Sequence, residues 1–180
     1  VLTKTSLSAI RALVYLGSRN AGEPIPPRRI ALELGESPTY LAKVIRHLVR
    51  AGILRAHRGV GGGVVLHRPP EAVTLRAIVE ACQGAILGDF CNDTADLSQV
   101  CGLHQAGAEL HRAIVGVLGR WTLADFLARP APSPPLRGKV PCFLTGCTLL
   151  DRRGPRQPTA NRKPVAARNA SNRGGGARRP

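Results

Sequence analysis

Apolar residues keep a helical period through the first third of this chain, change to a short extended run beside a cluster of glycines, and then return to helical spacing. In "SLSAIRALVYLGS", Leu7, Ile10, Leu13, Val14 and Leu16 recur behind Ser6 as a cap, which predicts a first helix over residues 6–18. A loop at residues 20–24 follows. "PPRRIALELGESPTYLAKVIRHLVRAG" reads as two helices. Pro27 suits the first turn of one, Ile30 and Leu34 face inward and Gly35 stops it; Ser37 caps the next, Pro38 takes its first position and Gly52 closes it. A short helix, a tight turn containing glycine and a longer helix make a helix-turn-helix.

The second of these helices divides by face. Leu41, Val44, Ile45, Leu48 and Val49 follow the i, i+3, i+4, i+7, i+8 pattern of a buried stripe. Thr39, Tyr40, Lys43, His47 and Arg50 are expected to point outward, with Arg46 at the border, and no acid occurs between Ser37 and Arg50. Such a face offers the donors that a helix in a major groove needs, whereas an ordinary solvated helix would mix both signs of charge.

Immediately afterwards comes "HRGVGGGVVLHRPP". A phosphate loop of the Walker type needs Gly-Lys-Ser/Thr leading into a helix, and the dinucleotide fingerprint needs a third glycine where Val64 stands, so both are excluded. The remaining reading is a hairpin, with strands at Ile53–Arg55 and Val64–Leu66 either side of a glycine tip. Arg55, His57, Arg58 and Arg68 surround that tip, which suits a wing lying against a phosphate backbone. The expected fold is therefore mainly α: a winged helix-turn-helix with a small β-hairpin wing. Its DNA-binding candidates in the helical part are Arg28, Ser37, Thr39, Tyr40, Lys43, His47 and Arg50; in the wing they are Arg58, Gly59, Gly61, Gly62 and Gly63.

Helical spacing then resumes. Thr74 caps a short helix carrying Leu75, Ile78, Val79 and Cys82 and ending at Gly84; "LHQAGAELHRAIVGVLGRWTLADFLA" reads as a long helix presenting Leu103, Leu110, Ile114, Val117, Leu118 and Trp121. Gly107, Gly116 and Gly119 each weaken that helix by ~1 kcal/mol relative to Ala, a cost tolerable where two backbones approach closely.

Charge separates the chain into three regions. Residues 1–70 hold 11 Lys/Arg against 3 acids, residues 71–130 hold 4 against 7, and residues 131–180 hold 11 against 1. The expected domains are a winged helix-turn-helix at 1–70, a loop and long helix at 71–130, and a Pro/Arg/Gly-rich tail at 131–180 that buries too little to order. The basic front suggests a polyanion such as double-stranded DNA as partner. An alternative is a nonspecific nucleic-acid-binding protein dominated by the basic tail. No nucleophile–base pair or paired carboxylates point to an enzyme. An odd five cysteines, and Arg11 interrupting the apolar run after Lys4, argue for a reducing cytoplasmic setting rather than secretion; no run of ~20 apolar residues suggests a membrane span.

The stretches "LTKTSLSAIRALVYL", "SPTYLAKVIRHLVRAGIL", "RGVGGGVVLHRPPEAVTLRAIVEACQG" and "TLADFL" resemble successive signatures of the IscR/NsrR-like (Rrf-two) winged-helix transcription regulators. Val64-Val65 replaces the Tyr-Arg common after the wing glycines in that family. The resemblance implies a homodimeric bacterial regulator whose long helix crosses its partner, which makes 71–130 a sensor loop and dimerisation helix, and many such proteins bind an iron-sulfur cluster, here in the loop "GDFCNDTADLSQVCGLH"; a repressor is expected. There Cys91, Cys101 and His104 match cluster ligands, but the family's middle cysteine is missing and Leu7 stands at the N-terminal acidic position some members use. A two-iron cluster is thus one ligand short, to be completed by Cys82, Asp93 or Asp96. Ligand count alone leaves a cluster-free regulator, a thiol switch or another metal open.

Overall fold

The computed structural model describes residues 2–19, 22–86, 99–133, 135 and 142–144. Helix α1 spans Lys4–Gly17, α2 Pro27–Leu34 and α3 Pro38–Arg50; strands β1 Leu54–His57 and β2 Gly63–Leu66 follow, then α4 Leu75–Gln83, α5 Gly102–Arg120 and α6 Leu123–Ala128. The expected helix-turn-helix and two-stranded wing are both present, in the expected order.

Local chemistry sets most of the boundaries. Gly35 adopts φ 65°, and the amide of Glu36 donates to the carbonyl of Ala31, so α2 closes in a left-handed turn. Gly52, at φ 66°, ends α3 in the same manner, with Ile53 donating to Leu48. Thr74 caps α4 through its hydroxyl, which accepts from the amide of Ala77 at 3.1 Å. Ser37 stands at the N-cap of α3 without a side-chain capping bond, and Pro38 at the first helical position supplies the start through its fixed φ.

The strands lie at Leu54–His57 and Gly63–Leu66 rather than at Ile53–Arg55 and Val64–Leu66, the Ile53 amide still bonding back to Leu48 at the end of α3, and two helix boundaries also differ from the sequence expectation. Helix α1 starts at Lys4 rather than Ser6: Thr3 is the cap, its hydroxyl accepting from the amide of Ser6 at 3.2 Å, and Ser6 is buried with its own hydroxyl donating to the Thr3 carbonyl. The long helix after residue 100 is two helices. It ends at Arg120 because Thr122 and Asp125 form a capping box, the Asp125 carboxylate accepting from the Thr122 amide at 2.8 Å. Hydrogen bonds to the Asp125 carboxylate from the Thr122 amide and hydroxyl hold its pKa below the usual carboxylate range. The chain between α5 and α6 bonds to the start of α4 instead of continuing the helix, with Leu75 donating to Trp121 at 2.7 Å and Leu123 to Val73 at 2.8 Å.

Leu13, Ile30, Leu41, Leu48, Ile53, Ile78 and Leu123 are fully buried in one core, each worth about 1.5–3 kcal/mol relative to exposure. Helix α1 packs against α3, α4 and α6, so helices after residue 70 complete the core of those before it. The hairpin pairs Arg55 with Val65 and His57 with Gly63, and it gains a third backbone partner: Ile25 exchanges two hydrogen bonds with Val64, at 3.1 and 2.9 Å. A ring stack of Trp121 on Phe126, with Arg129 over the indole, closes the α5–α6 corner.

One ionic contact ties the turn of the helix-turn-helix to α1. Arg11 donates to the Glu36 carboxylate at 3.0 Å and to the carbonyl of Leu34 at 2.9 Å, while Ser8 donates to the same Glu36 oxygen at 2.9 Å. Both charged side chains are largely shielded, at 14% and 12% exposure. Arg11 Nε and Glu36 Oε2 are buried without a hydrogen-bond partner among the described residues, so the pair carries a desolvation cost that its bonds offset only in part. Glu36→Ala is expected to lower stability by about 3 kcal/mol, since it strands the guanidinium. Replacing both, Arg11→Met with Glu36→Leu, should cost clearly less than the two single substitutions summed, as read by urea unfolding.

Candidate nucleic-acid interface

Helix α3 presents a narrower polar face than its sequence suggests. Thr39, Lys43, Arg46 and Arg50 are exposed, and their spacing of four, three and four residues aligns them in one stripe. Tyr40 and His47 are half-buried. The Tyr40 hydroxyl donates to Thr5 at 3.4 Å and Lys4 lies 5.5 Å over its ring, so this side chain turns toward the start of α1. Arg46, assigned to the border by its sequence position, stands within the exposed stripe beside Ala42, which is also exposed. Plotting the helix at 100° per residue would have placed it there, between Lys43 and Arg50. Arg28 is exposed in the first turn of α2, and Ser37 is exposed ahead of α3.

The wing glycines fall into two kinds. Gly59 and Gly61 have φ of 95° and 76° with open space around them, so they are required by backbone conformation. Gly62 and Gly63 are required by close approach: a Cβ on Gly62 would lie 2.5 Å from the carbonyl oxygen of His57, and one on Gly63 2.5 Å from the carbonyl carbon of Ile25. Gly63 is buried within β2 rather than at the tip. The tip itself carries Val60, fully exposed between Gly59 and Gly61, and Arg58 is exposed beside it.

At the sensor edge, Cys101 is the N-cap residue of α5 and His104 lies in its first turn. Their Sγ and Nδ1 atoms are 3.0 Å apart, both residues are exposed, and the hydrogen bond with His104 holds the Cys101 thiol below its usual acidity value. This pair offers two donors of the borderline type that iron accepts. Cys91, Asp93 and Asp96 lie outside the described residues, and among the described residues no group of three or more His, Cys, Asp or Glu side chains is placed to hold a metal. Cys82 does not join the pair. It is half-buried against the core, and burial pushes its thiol up to about 11, the opposite of what a thiolate ligand requires.

Helix α5 buries only Leu118 fully. Leu103, Leu110 and Val117 stand seven residues apart with 82%, 56% and 46% exposure, and Ile114 and Trp121 lean partly onto the core. Gly102, Gly116 and Gly119 have open space where a Cβ would be. Among the described residues no helix is long and apolar enough to cross a membrane.

A basic stripe on the second helix of a helix-turn-helix, followed directly by a hairpin, defines the winged helix-turn-helix class. The chain belongs to the family described as "Rrf2: Iron-dependent Transcriptional regulator", whose model matches residues 2–129, and its family is one of transcription regulators. The fold is similar to that of CymR, the global cysteine regulator of B. subtilis, at 22% identity with a TM-score of 0.59, covering 71% of this chain and 96% of that one. It is similar also to a Listeria innocua protein described as a transcriptional regulator, at 27% identity with a TM-score of 0.59, covering 74% of this chain and 90% of that one. The T. potens IscR shares 24% identity with a TM-score of 0.57, covering 76% of this chain and 96% of that one.

The raised Cys82 value implies about 100-fold less thiolate at pH 8 than in a cysteine of pKa about 9. Alkylation of metal-free protein followed by peptide mass spectrometry should therefore label Cys82 slowly until denaturant is added. Labelling at the rate of a small free thiol would place Cys82 outside the core.

Proposed function

We propose that this chain is a homodimeric transcription repressor that binds an inverted-repeat operator in double-stranded DNA and responds to redox, nitric oxide or iron-sulfur status through an iron centre beside α5. The observation that carries the reading is the acid-free stripe of Thr39, Lys43, Arg46 and Arg50 on α3, exposed next to the wing. A recognition helix seated in the major groove needs such donors, and a flanking wing with Arg58 supplies phosphate contacts without reading sequence. Its expected place of action is the cytoplasmic nucleoid.

The dimer is supported by α5. Leu103, Leu110 and Val117 form a ridge of seven-residue period that the single chain leaves exposed. An isologous pair built on this ridge would set two recognition helices about a twofold axis, which an inverted repeat mirrors.

For the iron centre, Cys101 and His104, with Cys91, are the side chains that would hold a two-iron cluster or another iron site. When bound, that group supplies electron-transfer or nitric-oxide chemistry at the N-terminal end of α5. Cys101 and His104 orient the site from the first turn of the helix that carries the dimer ridge. A tenfold change in operator affinity between two states of the site requires a coupling of ~1.4 kcal/mol.

Lys43→Ala is expected to weaken binding to a duplex selected by the wild-type protein from a random pool, with thermal melting unchanged. A base contact would relax preference at one position by ~1–3 kcal/mol, whereas a phosphate contact would weaken all sequences alike and reduce the salt slope by about 1. Unchanged fluorescence anisotropy titrations would remove Lys43 from the interface.

Leu110→Lys tests the assembly, because Leu110 stands at the middle of the ridge and is 56% exposed in the single chain. Sedimentation should show monomers at concentrations where the wild type is dimeric, with helix content retained. A dimer of undiminished stability would exclude this face of α5.

A further inference from the structure

The flank of α3 opposite Tyr40 borders a cleft of about 440 Å³ between the helix and the wing. Ala42, Arg46 and Val49 of α3 face Ala56, His57 and Gly62 of the hairpin across it. We infer that this cleft is a second, sequence-independent DNA site that holds one phosphodiester of the operator backbone between Arg46 and His57. The inference rests on the DNA-binding reading above and assigns to it a ligand chemistry and two residues.

Charge and shape both favour a backbone phosphate. Arg46 and His57 are the ionisable residues of the lining, both are exposed, and no carboxylate lines the cleft. A guanidinium offers a planar fork that matches two phosphate oxygens, and an imidazole on the facing wall can donate to a third. Between them the walls are apolar: Ala42 and Val49 on one side and Ala56 on the other suit the hydrocarbon edge of a deoxyribose. The short Ala42 side chain leaves the mouth open, and Gly62 brings bare backbone to the opposite wall. The volume exceeds that of a phosphate alone and leaves room for the sugars that flank it. A helix lying in a major groove places its flank against the strand that borders the groove, and the flank in question is the one carrying Arg46.

Two residues gripping one phosphate have a thermodynamic signature that separate surface charges lack. Arg46→Ala and His57→Ala should each weaken binding by about tenfold, the loss of one charge-assisted hydrogen bond. The loss should be equal on the selected duplex and on a random one, because a phosphate carries no sequence information. The Arg46→Ala salt slope should fall by about 1. The double variant should lose less than the product of the two single losses, since the second removal acts on a phosphate already released.

Full-length protein, fluorescence anisotropy and a series of salt concentrations suffice for the experiment. A scan of single methylphosphonate linkages through the selected duplex should then find one position where wild-type binding falls as far as in Arg46→Ala, and where Arg46→Ala loses nothing more. Three results would overturn the inference: wild-type affinity in Arg46→Ala, a loss confined to the selected sequence, or single losses that multiply in the double variant. Failure of the wild-type protein to bind any duplex of the pool would instead overturn the DNA-binding reading itself.

Discussion

The geometry of the helix-turn-helix depends on a buried ion pair. Helix α3 begins two residues after Glu36, and α2 ends two residues before it, so the Glu36 carboxylate lies at the middle of the turn that joins the two helices. Arg11 holds that carboxylate and also the last-turn carbonyl of Leu34, and Ser8 adds a third bond from the same face of α1. Hydrophobic burial alone would let α3 slide or rotate by small amounts at little cost, because apolar contact is non-directional. Three directional bonds onto the turn remove that freedom. Two orphaned polar atoms show that the arrangement is expensive, and a well-packed apolar replacement would serve stability as well. What the ion pair contributes is the register of α3 against α1, on which the direction of the Thr39–Arg50 stripe depends.

Much of this was legible in the sequence wherever the cause is local. Gly35 and Gly52 end helices because only a few neighbouring atoms decide a left-handed turn, and Pro38 starts one for the same reason. The buried stripe of α3 followed from its period, save that Val49 is only partly covered. Errors arose where a distant segment decides. Gly63 reads as part of a flexible tip, yet it is bare because Ile25 returns from the loop before α2 to pair with Val64. The break at Trp121 was written in Thr122 and Asp125, but an apolar pattern continuous across the break concealed it. Thr3 was passed over as a cap since the apolar period starts later, at Leu7. Arg46 was recoverable from helical geometry alone. Of the sensor, the Cys101–His104 contact follows from their i, i+3 spacing at a helix start, while the burial of Cys82 needed the tertiary fold.

Helix α5 relates the two halves of the proposed device. Its first turn holds the Cys101–His104 pair, its middle carries the exposed ridge, and its last turn is anchored by Leu118 in the core and by the Trp121 carbonyl bonded to Leu75. The anchored end packs onto the core through Leu118, whereas the end with Cys101 and His104 has no fully buried residue. A lever fixed at one end transmits change at the other only through what packs along its length, which here is the apolar ridge.

Helix α1 has a consequence for the order in which the protein becomes functional during synthesis. It emerges well before its partners α4 and α6, which are encoded after the entire helix-turn-helix and wing, and Leu127 packs directly on Gly17. Until those helices leave the ribosome, α1 exposes the side on which they dock, and the base from which Arg11 grips Glu36 is only half built. Contacts this far apart in the chain form late, after the loop-closure entropy between them has been overcome. The basic surface is thus translated early and stiffened last, which keeps a nascent chain from presenting a finished recognition helix to nearby DNA before the rest of the regulator exists.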